Sequence, residues 1–349
     1  MIVLTGGYTN KKGNEIEGGI YTFEFDEKEG TLTEKDLYPT VNPSYICVSD
    51  DNKFLYTFEE IGIDEKPKLK AFSLDKAGKL TFLNEKVIPG GAPCHITFSK
   101  DKKFLLIACY STGNVLAFAI KADGTLGEMT GSAQHKGSSV NKSRQEGPHA
   151  HMVALDKEGK VYVCDLGLDK IKAYSLSSTG ELTPLPDEDI KIAEGSGPRH
   201  MVFHPDGEHG FVINELTSTV SLLKKEGGKF KVLKDYLALD GSFSGLPTAA
   251  AIRISKKGKY VYSSDRTIQA ISIFEFDADN STLKLLTHEE TGGEAPRDFN
   301  IAPSGKWLIA ANQNTDNIVT FSRDKKTGLL NRKSEITDIV KPTSIVFIK

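Results

Sequence analysis

The chain has 349 residues, 38% of them hydrophobic and 26% charged, with 44 Lys and Arg against 47 Asp and Glu for a formal net charge of −3. Such a balance holds no overall basic field for a nucleic acid or an anionic membrane surface, so neither partner is expected and any anion must be drawn by a local cluster. Residues 2–8 are too short for the apolar core of a secretory signal, and no run reaches the roughly 18 apolar residues of a membrane span, which gives the expectation of a cytoplasmic chain.

In chain order, the first segments are three apolar runs at 2–8, 19–25 and 31–37. From Pro43 onward one phrase recurs: a Pro, a short alternating apolar run, a polar turn and a second apolar run. It returns at Pro93, Pro148, Pro198, Pro247 and Pro296, with a truncated copy at Pro342, so the period is about 50 residues. Turns such as Ser255-Lys256-Lys257-Gly258-Lys259 and His204-Pro205-Asp206-Gly207-Glu208 separate the two runs. A third run, as at 271–276, and a less regular fourth complete each copy. Four strands per period predict a propeller blade. The last copy supplies one strand and the N-terminal runs supply three, so pairing the two termini closes the ring and leaves no open edge. The expectation is an all-β, seven-bladed β-propeller of four-stranded antiparallel blades, one domain over 1–349.

Cys47, Cys94, Cys109 and Cys164 stand singly in apolar runs, without CxxC or Cys/His spacing, and are expected to be reduced, buried fillers. No calcium-loop spacing and no His pair at zinc spacing is evident, so no metal and no cofactor is expected.

In a blade, the start of the innermost strand and the end of the second lie on one face, beside the mouth of the central channel. The residues after each anchor Pro are Ser44, Cys94, His149, Arg199, Thr248, Arg297 and Thr343. At the second-strand ends stand Glu59-Glu60, Tyr110, Asp165, Asn214-Glu215, Asp265-Arg266 and Asn312-Gln313. The extended loop 130–147, with His135, Lys136, Lys142, Arg144 and Gln145, reaches the same face and is a candidate lid or anion clamp. Several Arg, two His and a Glu thus converge. Taken singly, Arg266 and Arg297 fit a structural ion pair as well as a ligand contact; His151, Arg199 and Glu215 together point to chemistry. His200 is expected to point away from Arg199 by strand alternation, and His204 to belong to a turn on the far face.

Arg144-Gln145-x-x-Pro148-His149-Ala150-His151, Asp165-Leu166-Gly167-x-Asp169, Gly197-Pro198-Arg199-His200, Asn214-Glu215, Ser264-Asp265-Arg266, Pro296-Arg297-Asp298-Phe299 and Ala311-Asn312-Gln313 carry a resemblance that runs the full chain. The sequence resembles the propeller lactonases, which include bacterial 6-phosphogluconolactonases and fungal carboxy-muconate lactonizing enzymes. It departs from them at Ile252 after Ala250-Ala251, and at Asp265, which is expected to tie up Arg266. The resemblance implies His151, Arg199 and Glu215 as the catalytic set, with Arg144, Gln145, His149, Asn214, Arg266 and Arg297 as substrate-binding residues. It implies metal-independent hydrolysis of an anionic sugar lactone such as 6-phospho-D-glucono-1,5-lactone. In that scheme His151 is a general base on water, Arg199 stabilises the oxyanion and Glu215 orients His151 or Arg199. A muconate-type cycloisomerase and a non-catalytic binding propeller remain as alternatives.

Overall fold

The computed structural model describes residues 1–13, 15–239 and 245–348. Seven antiparallel blades stand around one axis, and we number them from the blade that contains both termini. Their innermost strands are Pro342–Ile348, Ile46–Val48, Pro93–Phe98, Ala150–Leu155, Pro198–Phe203, Ala249–Ile254 and Pro296–Ile301. Each touches the next in that order, and the last touches the first, so the ring is closed. In blade 1 the C-terminal strand pairs antiparallel with Ile2–Gly7, Thr5 opposite Ile345. Thr5 Oγ1 also donates to the Ser344 carbonyl at 2.5 Å, a bond across 339 residues of chain.

The second strands lie deepest. Phe104–Cys109, His209–Asn214, Tyr260–Asp265 and Trp307–Asn312 are buried at every position, because neighbouring blades cover both of their faces. The cores therefore lie between blades. Phe211, Ile213, Val220 and Leu222 of blade 5, for example, pack on Ala249, Ile252, Val261 and Phe274 of blade 6. At three seams an aromatic side chain reaches into the outer turn of the next blade. Tyr56 Oη donates to the Gly124 carbonyl at 2.9 Å, Tyr262 Oη to that of Gly328 at 2.7 Å, and Trp307 Nε1 to that of Glu27 at 3.0 Å. Gly328 sits at φ +76°, and a Cβ there would lie 2.4 Å from the Tyr260 ring, so both backbone and packing demand glycine.

Two features were not expected. A small hairpin, Asn10–Lys12 with Glu15–Glu17, projects from blade 1. In blade 4 the outer strand Leu182–Pro184 stops, a 3₁₀ turn Pro186–Glu188 follows, and Ile190–Lys191 resumes the pairing. Pro184 and Pro186 have no N–H to donate to a ladder, which accounts for the break. Among the described residues, no helix is long and apolar enough to cross a membrane.

Candidate active site

The innermost strands do not enter the ring in simple alternation. Their pairing with the second strands slips between Pro93 and His95, Ala150 and Met152, Pro198 and His200, Ala249 and Ile252, and Pro296 and Asp298. Each slip is a β-bulge that leaves a residue off the ladder and re-aims it. The bulged residues are Cys94, His151, Arg199, Ala250 with Ala251, and Arg297. This corrects the expected equivalence in two blades. The rung held by Pro198 in blade 5 is held by Ala150 and Ala249 in blades 4 and 6, not by Pro148 and Pro247, so the counterpart of Arg199 is His151 rather than His149, and Ala250 rather than Thr248.

A second ring of side chains lies just past the second strands. The backbone N–H groups of Tyr8, Tyr110, Leu166, Glu215, Arg266 and Gln313 each donate to the residue preceding the innermost strand of their own blade, and that of Glu60 donates to Asn42, just before Pro43, all at 2.8–3.2 Å. These repeated clamps fix seven side chains at the channel mouth.

Glu215 is the centre of that ring. Its carboxylate lies 2.5 Å from Arg144 Nη2, 2.9 Å from Arg266 Nη2 and 3.0 Å from Arg199 Nε, the last pair too bent to count as a hydrogen bond. Burial favours the neutral acid, but Arg266 and Arg199 outweigh it and hold Glu215 well below the usual carboxylate range. Arg199 is only 1% exposed and donates to the Ala250 carbonyl at 2.6 Å. Burial, with Arg297 and Arg266 close by, pulls it down to about 9, the mark of a cation short of counter-charge. Asp265 does not tie up Arg266, contrary to expectation. Neighbouring residues on a strand point to opposite sides; Asp265 accepts the Ser218 hydroxyl and the Thr267 amide, leaving Arg266 to Glu215.

His151 is buried, its ring edge-on to Tyr110 at 5.6 Å and to His200 at 5.3 Å between centroids. Its Nδ1 has no partner among the described residues. Burial, reinforced by Arg199, depresses its pKa far below the ordinary histidine value, so the ring is neutral at physiological pH. His200 does not turn away from the site. The bulge at Arg199 swings it under the mouth, where its Nε2 faces Arg199 Nη1 at 3.3 Å. Below, Tyr45, His95, Arg253 and Asp298 fill the channel, with Arg253 Nη2 donating to both carboxylate oxygens of Asp298, at 2.6 and 2.8 Å.

Two expected ligand contacts are not at the mouth. Gln145 is fully buried, donating to the Leu166 carbonyl at 2.9 Å and accepting the Asn141 amide at 3.0 Å. Asn214 is also fully buried and donates to Thr219 and Ser221, because the clamp that presents Glu215 turns its predecessor inward. His149 stacks on Tyr110 at 4.4 Å and reaches Glu146 at 3.2 Å, so it lines the wall. The extended loop is strapped down rather than free to close: His135 binds Asp165 at 2.5 Å and Ser139 binds Asp169 at 2.6 Å. Arg144 is the part of it that reaches the site.

Ser44 and Glu60 were placed at the mouth from the sequence but given no role, and Tyr8 was not placed there. Glu60 accepts Tyr8 Oη at 2.6 Å and the Ser44 hydroxyl, and lies 3.6 Å from Arg297 Nη2, whose guanidinium covers the Tyr8 ring. A small cavity of about 10 Å³, room for roughly one water, lies between Ser44, Glu60, Cys94, Arg199, Arg297 and Thr343, beside Tyr45, His200 and Asp298. Aligning Tyr8 with the other second-strand ends would have shown that Glu60, not Glu59, is the carboxylate that faces the site. Around the mouth four guanidinia face two carboxylates, a surplus of two positive charges.

The profile of the family described as "Lactonase, 7-bladed beta-propeller" matches residues 2–347. The chain is 34% identical to a 6-phosphogluconolactonase of Bacillus subtilis (strain 168), over 99% of this chain and 98% of that one. It is 35% identical to a 6-phosphogluconolactonase of Formosa agariphila, over 95% and 94% of the two chains. A crystal structure of a protein from Lactobacillus plantarum superposes with a TM-score of 0.92 at 31% identity, covering 100% of this chain and 99% of that one.

Proposed function

The chain belongs to the seven-bladed propeller lactonase family, and from that premise we propose that it hydrolyses 6-phospho-D-glucono-1,5-lactone to 6-phosphogluconate without a metal. The class of reaction, opening of a cyclic ester by a carboxylic ester hydrolase, comes with the family and with relatives named 6-phosphogluconolactonase. One observation carries the finer choice. The mouth holds four guanidinia against two carboxylates. Its surplus charge matches a phosphate monoester, which carries roughly −1.5 to −2 at neutral pH. Arginine forks bind such groups in bidentate fashion.

Neutral His151 takes a proton from water as the water oxygen attacks the lactone carbonyl carbon. The carbonyl oxygen gains charge beside Arg199, a buried cation without full compensation, which stabilises it. Collapse of the tetrahedral species breaks the bond to the ring oxygen, and the His151 imidazolium returns the proton to that oxygen, giving a carboxylic acid and a hydroxyl; the acid then releases its proton to solvent as the carboxylate product. An imidazolium beside Arg199 is unfavourable, so the proton moves on readily. Glu215 holds Arg199 rather than His151 and remains ionised, which makes it an anchor and not the base. Arg144, Arg266 and Arg297 receive the phosphate, and His149 lines the wall.

The test is hydrolysis of freshly generated 6-phosphogluconolactone against unphosphorylated gluconolactone, with a chelator present. A higher kcat/KM for the phosphorylated ring, unaffected by chelation, supports the proposal. Equal rates on both rings remove the phosphate assignment. An isomerised product that has consumed no water supports the muconate-type reaction instead.

A further inference from the structure

On the face opposite the mouth, the turn between the first two strands of blade 5 brings together His204, Asp206 and His209. Asp206 Oδ2 lies 2.8 Å from His204 Nδ1 and 2.8 Å from His209 Nδ1, and one donor atom from each residue falls within 4.8 Å of the others. The two imidazoles are 9% and 6% exposed and the carboxylate 30%, so the cluster is sheltered yet open on one side. His204 and His209 are five positions apart inside a turn, a spacing the sequence expectation of no zinc-spaced His pair overlooked.

Lys224 Nζ donates to Ser281 Oγ at 2.9 Å, and that hydroxyl lies 3.0 Å from His209 Nε2, so it donates there and leaves the His209 proton on Nδ1, facing Asp206. His204 Nδ1 likewise donates to Asp206 Oδ2, at 2.8 Å. One carboxylate oxygen therefore faces two ring nitrogens, an arrangement in which a single cation can replace the two shared protons. Asp206 Oδ1 is already committed to the amides of Glu208 and His209 at 2.7 and 3.1 Å, which leaves Oδ2 with lone pairs to give. The His204 ring is held from behind: a Cβ on Gly258 of blade 6 would lie 1.9 Å from its Nε2.

We propose that His204, Asp206 and His209 bind one divalent transition cation of the zinc class. Two imidazole nitrogens and a carboxylate oxygen suit such ions, and a tetrahedral ion would complete its shell with water. The cation takes the place of the Nδ1 protons that His204 and His209 direct at Asp206, and these leave to solvent. Because the site is on the far face, it fastens the blade 5 turn beside blade 6 and takes no part in lactone hydrolysis.

The probe is Zn²⁺, titrated by calorimetry into tag-free, chelator-stripped full-length protein. One ion is expected to bind saturably and raise the melting temperature, while lactonase activity stays the same with and without it. His209→Gln is expected to weaken binding by about tenfold or more. Because His209 also opens the second strand of blade 5, a measurement on unaltered protein complements the variant: with Cu²⁺ bound, electron spin echo modulation should count two coordinated imidazoles. Absence of saturable Zn²⁺ binding, an isotherm unchanged in folded His209→Gln, or fewer than two imidazoles on Cu²⁺ each overturns the proposal.

Discussion

Arg144 and Glu215 meet 71 residues apart in the chain, with Nη2 of the loop arginine 2.5 Å from Oε1 of the blade 5 carboxylate. The pair joins the strapped loop to the mouth and sets Arg144 beside Arg199 and Arg266, on one shared anion. Replacing the exposed partner and the buried partner should therefore have different consequences.

Arg144→Ala removes a guanidinium that is 38% exposed, so its ion pair is screened and the stability loss should be about 1 kcal/mol or less. The effect belongs in substrate capture. KM for the phosphorylated lactone should rise by about tenfold, the worth of roughly 1.4 kcal/mol, with kcat nearly unchanged. Steady-state kinetics on both lactones checks this, and an equal rise in KM on the unphosphorylated ring contradicts it.

Glu215→Gln leaves three guanidinia without their common counter-charge in a buried place. Losing one partner of a buried pair costs about 3–5 kcal/mol, so chemical denaturation should show a marked loss of stability. Activity should fall with it, because Arg199 is no longer held. A variant as stable as the parent contradicts the central place of this carboxylate.

His151→Gln should keep the fold and lose about 10²–10⁴ in kcat, the usual worth of a general base. The parent enzyme should show no acid limb near the ordinary histidine pKa, because burial and Arg199 hold the ring neutral far below it. A kcat that halves near about pH 6.5 contradicts the assignment.

Stability should fall with acidity in the same interval. Burial, with Arg253 and Arg199, pulls His95 down to about 3, and burial with Arg199 also lowers His151 and His200. Each is neutral when folded and takes a proton when unfolded below about pH 6.5, so the unfolded state binds more protons there. The loss is up to about 1.4 kcal/mol per pH unit for each ring. Urea unfolding at about pH 7 and pH 5 reads it directly; equal stability at both contradicts it.

The blade repeat, the terminal closure and the face on which the arginines gather were legible in the sequence, because strand periodicity and turn chemistry are local. What escaped was register. Pro148 and Pro247 stand two residues before the rung that Pro198 holds, so the anchor prolines misaligned blades 4 and 6, and a bulge with no sequence signature at Arg199 aimed His200 the other way. Gln145 and Asn214 sit in motifs beside site residues, yet their amides satisfy buried backbone and side-chain groups. Glu59 and Glu60 stood together at a second-strand end, and the sequence did not say that Glu59 would bind Lys70, at 2.6 Å, and leave Glu60 to the mouth.

The most direct measurement is the kcat of Arg199→Lys on 6-phosphogluconolactone. Lysine keeps a positive charge but loses the planar fork that spans Glu215, the Ala250 carbonyl and the reacting oxygen. A fall of about 10²–10³ in kcat, the cost of losing one oxyanion donor, with the fold intact, is the predicted result. Turnover equal to the parent's would contradict the placing of the chemistry at Arg199.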